Sequence, residues 1–261
     1  MSTITKVAAG VVVLAVAGGI TYHVTQGAKT DTLKQGTLTI GLEGTYAPFS
    51  YRDGDKLTGY DVDVATAVAK KLDLKPKFVQ TKWDSLIAGL NSNRYDVVFN
   101  NVGITPERQK AYLFSTTYVY SKTVLIKKAD DKNLTGIADI KGKKFAQTTT
   151  SNYGQIAQDN GAKIVAAPGF VEALNLITSN RADGTLNDLG AYNVWKKENH
   201  DTKTVAVDLS KEVPAEPAAP ILNKKSTDLQ KQINTAIKAL KQDGTLKKLS
   251  EKYFDADLTE K

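Results

Sequence analysis

The chain has 261 residues, with 35 Lys plus Arg against 28 Asp plus Glu, two His, one Met and no Cys, and is 41% hydrophobic and 24% charged. These fractions fit a globular protein and exclude disordered, collagen-like and disulfide-stapled classes, while the missing Cys and the distant His23 and His200 argue against thiolate, Cys-zinc and Ser-His chemistry. Only four of the basic residues are Arg (Arg52, Arg94, Arg108, Arg181), so the net charge of +7 reads as a solvated lysine surface suited to an anionic membrane, with no nucleic acid, metal or cofactor implied.

Residues 1–30 form a separate object. Lys6 precedes an apolar run, Val7 to Ile20, continued to Val24. The run just reaches the roughly 17 residues that span a membrane, and Gln26-Gly27-Ala28 is a poor small-x-small cleavage site. An uncleaved tether is favoured over a cleaved export signal, with the bulk of the chain outside the cytoplasm; a lipoprotein is excluded because it needs a cysteine.

From about residue 36 the chain alternates strands and helices. Leu38–Gly41 reads as a strand and Asp61–Leu72 as a helix with Val64, Val68 and Leu72 on one stripe. Lys77–Gln80 is a strand, Asp84–Asn91 a helix and Tyr95–Phe99 a strand, which together predict a parallel α/β sheet. One long strand follows from Tyr118 to Lys128. The pattern then restarts with strand Lys144–Gln147, a helix from about Ser151, strand Lys163–Ala166, helix Val171–Ser179, strand Gly184–Leu186 and helix Leu189–Glu198. Val213–Asn223 holds three of the seven prolines and reads as a stiff crossover back to the first lobe. Leu229, Ile233, Ile237 and Leu240 then form a helical stripe that stops at Asp243-Gly244, before Leu246, Leu249 and Phe254. Two βα series joined by an extended segment predict an α/β fold of two lobes with a ligand cleft at the carboxyl ends of the strands.

The ordered pieces GLEGTYAPFSY, GYDVDVA, WDSLIAGL, YDVVFNNVGITPER, FS, RADGTLND and DGTLKKLSEKYF resemble the extracytoplasmic solute-binding proteins of polar amino-acid ABC importers, family 3, over residues 36–256. The resemblance implies two α/β lobes joined by two hinge strands, the type II periplasmic binding protein-like fold. It places lobe one at 36–117 plus 220–258, lobe two at 123–214, and the hinges near 118–122 and 215–219. Its partners would be an amino acid, a membrane permease and its ATPase, and the receptor would be a monomer.

Candidate site residues follow from chemistry and resemblance together. Arg108 follows Thr105, suited to an N-cap, and Pro106, suited to the first helical turn. Its planar fork suits a carboxylate, which the resemblance identifies as the ligand's; a surface ion pair is the plainer role. Asp188 stands at a strand's carboxyl end, where the resemblance implies a partner for the α-ammonium and ordinary local structure implies a helix cap. Tyr46 and Trp83 match aromatic walls, although a lone tryptophan is more often a lobe-surface or core residue and only the place of Trp83 before the Asp84 helix favours the cleft, and Phe49 and Tyr51 read as packing. Glu43 matches a polar site position or is an ordinary loop carboxylate. Gln147, Thr148, Thr150, Ser151, Asn152 and Tyr153 lead from a strand into a helix start, which offers hydroxyls and backbone donors to a carboxylate or simply an N-cap.

Asn100 and Asn101, followed by Val102 and Gly103, resemble the cystine-binding members. Their amides would suit a second zwitterionic head, and adjacent Asn are equally turn formers. L-Cystine is therefore the expected ligand, ahead of another polar amino acid such as glutamine. A dehydratase of cyclohexadienyl acids on the same fold would need Glu43 or Asp188 as acid or base, and a sensing module would need a signalling domain. No enzyme activity is expected.

Overall fold

The structure is a computed structural model and describes residues 31–260. Among these residues no helix is long and apolar enough to cross a membrane; the expected tether or signal, residues 1–30, lies outside them.

Lobe one opens with β1 (Thr37–Leu42), a hairpin of β2 (Tyr51–Asp53) and β3 (Lys56–Thr58), α1 (Tyr60–Lys71) and β4 (Lys75–Gln80). Short helices α2 (Trp83–Leu86) and α3 (Ala88–Asn91) precede β5 (Val97–Val98), α4 (Pro106–Ala111) and β6 (Tyr112–Phe114). The chain then crosses through β7 (Val119–Ser121) into lobe two, which holds β8 (Thr123–Lys128), a short 3₁₀ turn (Ile137–Ile140), β9 (Lys144–Gln147), α5 (Asn152–Asp159), β10 (Lys163–Ala166), α6 (Phe170–Thr178), β11 (Gly184–Asp188), α7 (Leu189–Glu198) and β12 (Thr204–Asp208). It returns through β13 (Glu216–Ala218) and ends in lobe one with β14 (Ile221–Asn223), α8 (Thr227–Gln242) and α9 (Thr245–Phe254).

The first sheet has the order β4-β1-β5-β14-β6 and the second β10-β9-β11-β8-β12. Side chains alternate across each strand, so consecutive residues serve opposite layers. In β5, Val97 joins the core under α1, α8 and α9, while Val98 joins Trp83, Leu86, Leu90 and Tyr95 on the other face. In lobe two, Ile126 packs with Leu174 and Ile177 of α6, and Leu125 packs with Phe145, Tyr153 and Ala157.

Three expectations are corrected. The first sheet is mixed, because β14 enters from the returning chain and runs antiparallel to β5 and β6. The long strand 118–128 divides at Lys122: β7 pairs with β13 in a two-stranded ribbon, whereas β8 pairs with β11 and β12. The helix expected at 84–91 divides at Ile87. The Tyr95 hydroxyl donates to the Leu86 carbonyl, the acceptor a continuous helix would offer to Leu90, and the Leu90 amide turns instead to the Ile87 carbonyl at 3.2 Å.

Pro217 sits in the ribbon opposite Tyr120, whose amide donates outward to the Leu258 carbonyl at 2.8 Å. The tail after α9 is thereby bonded to one of the two crossings. Phe254, at the end of α9, packs on Phe49 and Tyr60 of lobe one, and its ring lies so close to Gly190 of α7 that a side chain there would stand 2.9 Å away.

Candidate functional site

A cavity of about 700 Å³ lies between the lobes at the carboxyl ends of β1, β4 and β5 on one side and of β9 and β10 on the other. This is where an α/β sheet presents loops free of ladder pairing. Lobe one supplies Glu43, Tyr46, Trp83, Asn100 and Asn101, together with Thr45, Gln80, Thr81 and Lys82. Lobe two supplies Thr148, Ser151, Asn152 and Tyr153, together with Pro168 to Glu172.

Glu43 follows β1, and its carboxylate accepts from the Asn100 side-chain amide at 2.7 Å. The Glu43 amide donates back to Asn100 Oδ1 at 2.8 Å. Burial pushes the Glu43 carboxyl up to about 7; the Asn100 bond opposes that shift, and the charges of Asp84 and Glu172 add to it. Asn101 adopts a left-handed backbone with φ 47°, which Asn tolerates better than most residues. Its Oδ1 accepts from Ser121 Oγ at 2.8 Å, so both asparagines answer to protein partners as well as to the cavity.

Behind this wall lies a buried chain of polar groups. The Asp61 carboxylate accepts from the Tyr118 hydroxyl, and that hydroxyl accepts from the Asn101 amide at 3.1 Å. Burial raises the Asp61 carboxyl to about 7.

Several contacts tie the lobes together. The Tyr46 hydroxyl donates to Asn187 Oδ1 at 2.6 Å, while its ring stacks on Phe49 and meets Phe170 edge-on. Thr150 Oγ1 donates to Asp84 at 3.0 Å. Arg108 sits in the first turn of α4, where Thr105 Oγ1 accepts from its amide at 3.2 Å and Pro106 opens the helix. Its guanidinium donates to the Gly103 carbonyl at 2.7 Å and to the Thr150 carbonyl of lobe two at 3.0 Å, and lies 5.3 Å from the centre of the Trp83 ring. Burial lowers the Arg108 guanidinium to about 10, opposed by Glu216 and Glu107. Glu216, on the return crossing, accepts from the Asn152 amide beside it. Gly103 leaves room for this meeting: a side chain there would lie 3.0 Å from Glu216 and 3.2 Å from Asn152.

Five expected residues are not among those that line the cavity. They are Gly103, Arg108, Gln147, Thr150 and Asp188. Gln147 donates to the Leu186 carbonyl at 3.2 Å. Asp188 is 2% exposed and caps α7 by accepting from the Ala191 amide at 3.0 Å. Burial lifts its carboxyl to about 6 against that bond and others from Ser121, Gly190 and Lys122. Sequence reasoning passed over Gln80 to Lys82 and Pro168 to Glu172. Both segments follow the carboxyl ends of strands, the same placement that marks Glu43 and Thr148.

Comparison with known proteins places this geometry. The L-cystine-binding protein TcyA of Bacillus subtilis (strain 168) is 44% identical over 231 residues, covering 87% of this chain and 84% of that one. The L-cystine solute receptor of Neisseria gonorrhoeae, in its unliganded open conformation, is 46% identical and covers 86% of this chain and 95% of that one, with a TM-score of 0.58. An ancestral arginine-binding protein bound to arginine is 33% identical and covers 84% of this chain and 99% of that one, with a TM-score of 0.78. Of these two structures the gonococcal receptor has the higher identity and the lower TM-score, and in this chain bonds from Tyr46, Arg108 and Thr150 join the two lobes. Residues 38–256 match the family described as bacterial extracellular solute-binding proteins, family 3, and the chain belongs to that family.

Proposed function

We propose that this protein is the substrate-binding receptor of an amino-acid ABC importer, that it holds L-cystine between its two lobes, and that the closed form delivers the ligand to a membrane permease driven by its ATPase. The observation that carries the reading is the closed cavity itself, with charged and aromatic groups drawn from both lobes. TcyA and the gonococcal receptor, both named for L-cystine, support the choice of ligand. The chemistry is binding alone, with no bond made or broken.

In this reading Arg108 takes the ligand's α-carboxylate, aided by Thr148, Thr150, Ser151 and Asn152 at the start of α5, and Asp188 takes the α-ammonium. Glu43, Asn100 and Asn101 supply further polar contacts, Tyr46, Trp83 and Tyr153 wall the ligand, and Gly103 and Gln147 shape the backbone around it. Binding selects the closed arrangement because only there do groups of both lobes, which line one cavity, meet the ligand together. The lobes are 36–117 plus 220–258 and 123–214, hinged at 118–122 and 215–219. The receptor works as a monomer at the outer face of the membrane, tethered by its N-terminal segment.

Isothermal titration calorimetry tests this. The full chain, purified in mild detergent and refolded to strip carried-over ligand, is titrated with L-cystine, L-glutamine, L-histidine and L-arginine. Saturable one-to-one binding of cystine ahead of the others is the expected result. Preference for another amino acid removes cystine from the reading, and no binding by demonstrably folded protein removes the receptor role.

A further inference from the structure

We propose that Thr81, Lys82, Trp83 and Glu172 form a second subsite at the cavity, one that holds the far zwitterionic head of a two-headed diamino-dicarboxylic acid. The inference rests on the L-cystine reading and deepens it by stating what makes the site choose such a ligand.

Lys82 and Glu172 both line the cavity, carry opposite charges and come from different lobes: Lys82 from the link between β4 and α2, Glu172 from the first turn of α6. Neither side chain has a hydrogen bond or ion pair among the described residues. Glu172 lines the same cavity as Glu43 of the opposite lobe and adds to the negative field there. A lone anion and a lone cation on facing walls are the complement of one ammonium and one carboxylate.

The loop around Lys82 supplies a second, independent observation. Five buried side-chain polar atoms lack a partner among the described residues, and two of them, Thr81 Oγ1 and Trp83 Nε1, flank Lys82. Trp83 is 7% exposed, and its indole N–H is a donor that buried tryptophans ordinarily satisfy. Both donors flank Lys82, so a ligand carboxylate at Lys82 would bring an acceptor to the loop that carries them, and the ligand's ammonium would face Glu172.

The first head belongs to Arg108 and Asp188, and the spacing of the two heads is set by the ligand. In a disulfide-linked pair the α-carbons stand roughly 4.4–6.8 Å apart. A cavity of about 700 Å³ falls within the range of pockets that enclose drug-sized molecules, which leaves space for both heads. The chain has no Cys to exchange with a disulfide, and the cavity is also lined by the aromatic rings of Tyr46, Trp83 and Phe170, which would pack on a thioether as on a disulfide. The selected class is therefore any L,L-diamino-dicarboxylic acid of this span. Because Lys82 and Glu172 lie on different lobes, the far head also helps hold the lobes together.

The test is a calorimetric matrix with the full chain. Wild type, Lys82→Gln and Glu172→Gln are titrated with L-cystine and L-cystathionine, and S-methyl-L-cysteine, a single-headed analogue, is read by its displacement of cystine. The subsite predicts that wild type binds the two double-headed ligands within about fivefold of each other and the single-headed one at least about thirtyfold more weakly. Each charge variant should lose about tenfold for the double-headed ligands and stay within about twofold for S-methyl-L-cysteine. Cystine binding unchanged in Lys82→Gln and Glu172→Gln, or equal losses for all three ligands, overturns the subsite while leaving the receptor intact. If wild type binds neither double-headed ligand, the cystine reading itself fails.

Discussion

At Asp188 one carboxylate has an observed duty and a proposed one. It caps α7 through the Ala191 amide, and the proposed receptor needs its charge for the ligand's ammonium. Asn caps a helix about as well as Asp, so Asp188→Asn separates the duties. The melting temperature should stay within a few degrees of wild type while affinity falls about tenfold or more; tight binding retained by the variant would leave Asp188 a cap alone. Its raised pKa, with that of Glu43, also fixes a pH dependence. Both carboxyls titrate higher in the folded protein, at about 6 and about 7, than in the unfolded chain. Between the ordinary carboxylate range and those values the folded state binds more protons, so these groups lower stability as pH rises through the window. An ammonium ligand needs the ionised forms, so affinity moves the other way. Calorimetry should show binding about tenfold weaker at about pH 5.5 than at about pH 8, while the ligand-free melting temperature holds or rises on acidification. Equal affinity at both pH values would remove these carboxylates from the site.

Elements show where local sequence sufficed and where it did not. At α5 the Ser151 hydroxyl accepts from the Gly154 amide and donates to the Thr148 carbonyl, both at 2.9 Å. Ser151→Ala should lower stability by about 1 kcal/mol in denaturant melts, and Ser151→Asp should restore it; an unchanged midpoint for the alanine variant would deny the cap. This helix start was legible because a capping serine is a local signal. The division at Ile87 was not, because it depends on Tyr95 reaching back to Leu86 after the chain has turned. The same limit applies to β14: Ile221–Asn223 is too short to announce a strand, and its direction depends on where the chain re-enters lobe one. Among site residues, Glu43 and Tyr46 follow a readable strand and line the cavity, whereas Lys82 and Glu172 carry no motif and gain meaning only when two distant loops face each other.

At the scale of the molecule, alternating strands and helices made the two α/β series readable, and the prolines marked the return crossing. The closure of one lobe on the other was not readable, because it rests on single bonds between residues far apart in sequence, such as Tyr46 with Asn187. Arg108 belongs to this scale, since its guanidinium joins Gly103 of lobe one to Thr150 of lobe two. Arg108→Ala should weaken ligand binding about tenfold or more with the circular dichroism spectrum unchanged; unaltered affinity would reject its role. The place of Trp83 on the cavity wall has a practical outcome. The chain has two tryptophans, and the other, Trp195, packs on Tyr192 within lobe two. Parting the lobes exposes only one of the two indoles to a changed neighbourhood. In the proposed receptor Trp83 is thus a built-in optical reporter, and unlabelled stopped-flow emission would time the shutting of the jaws separately from the first encounter with ligand.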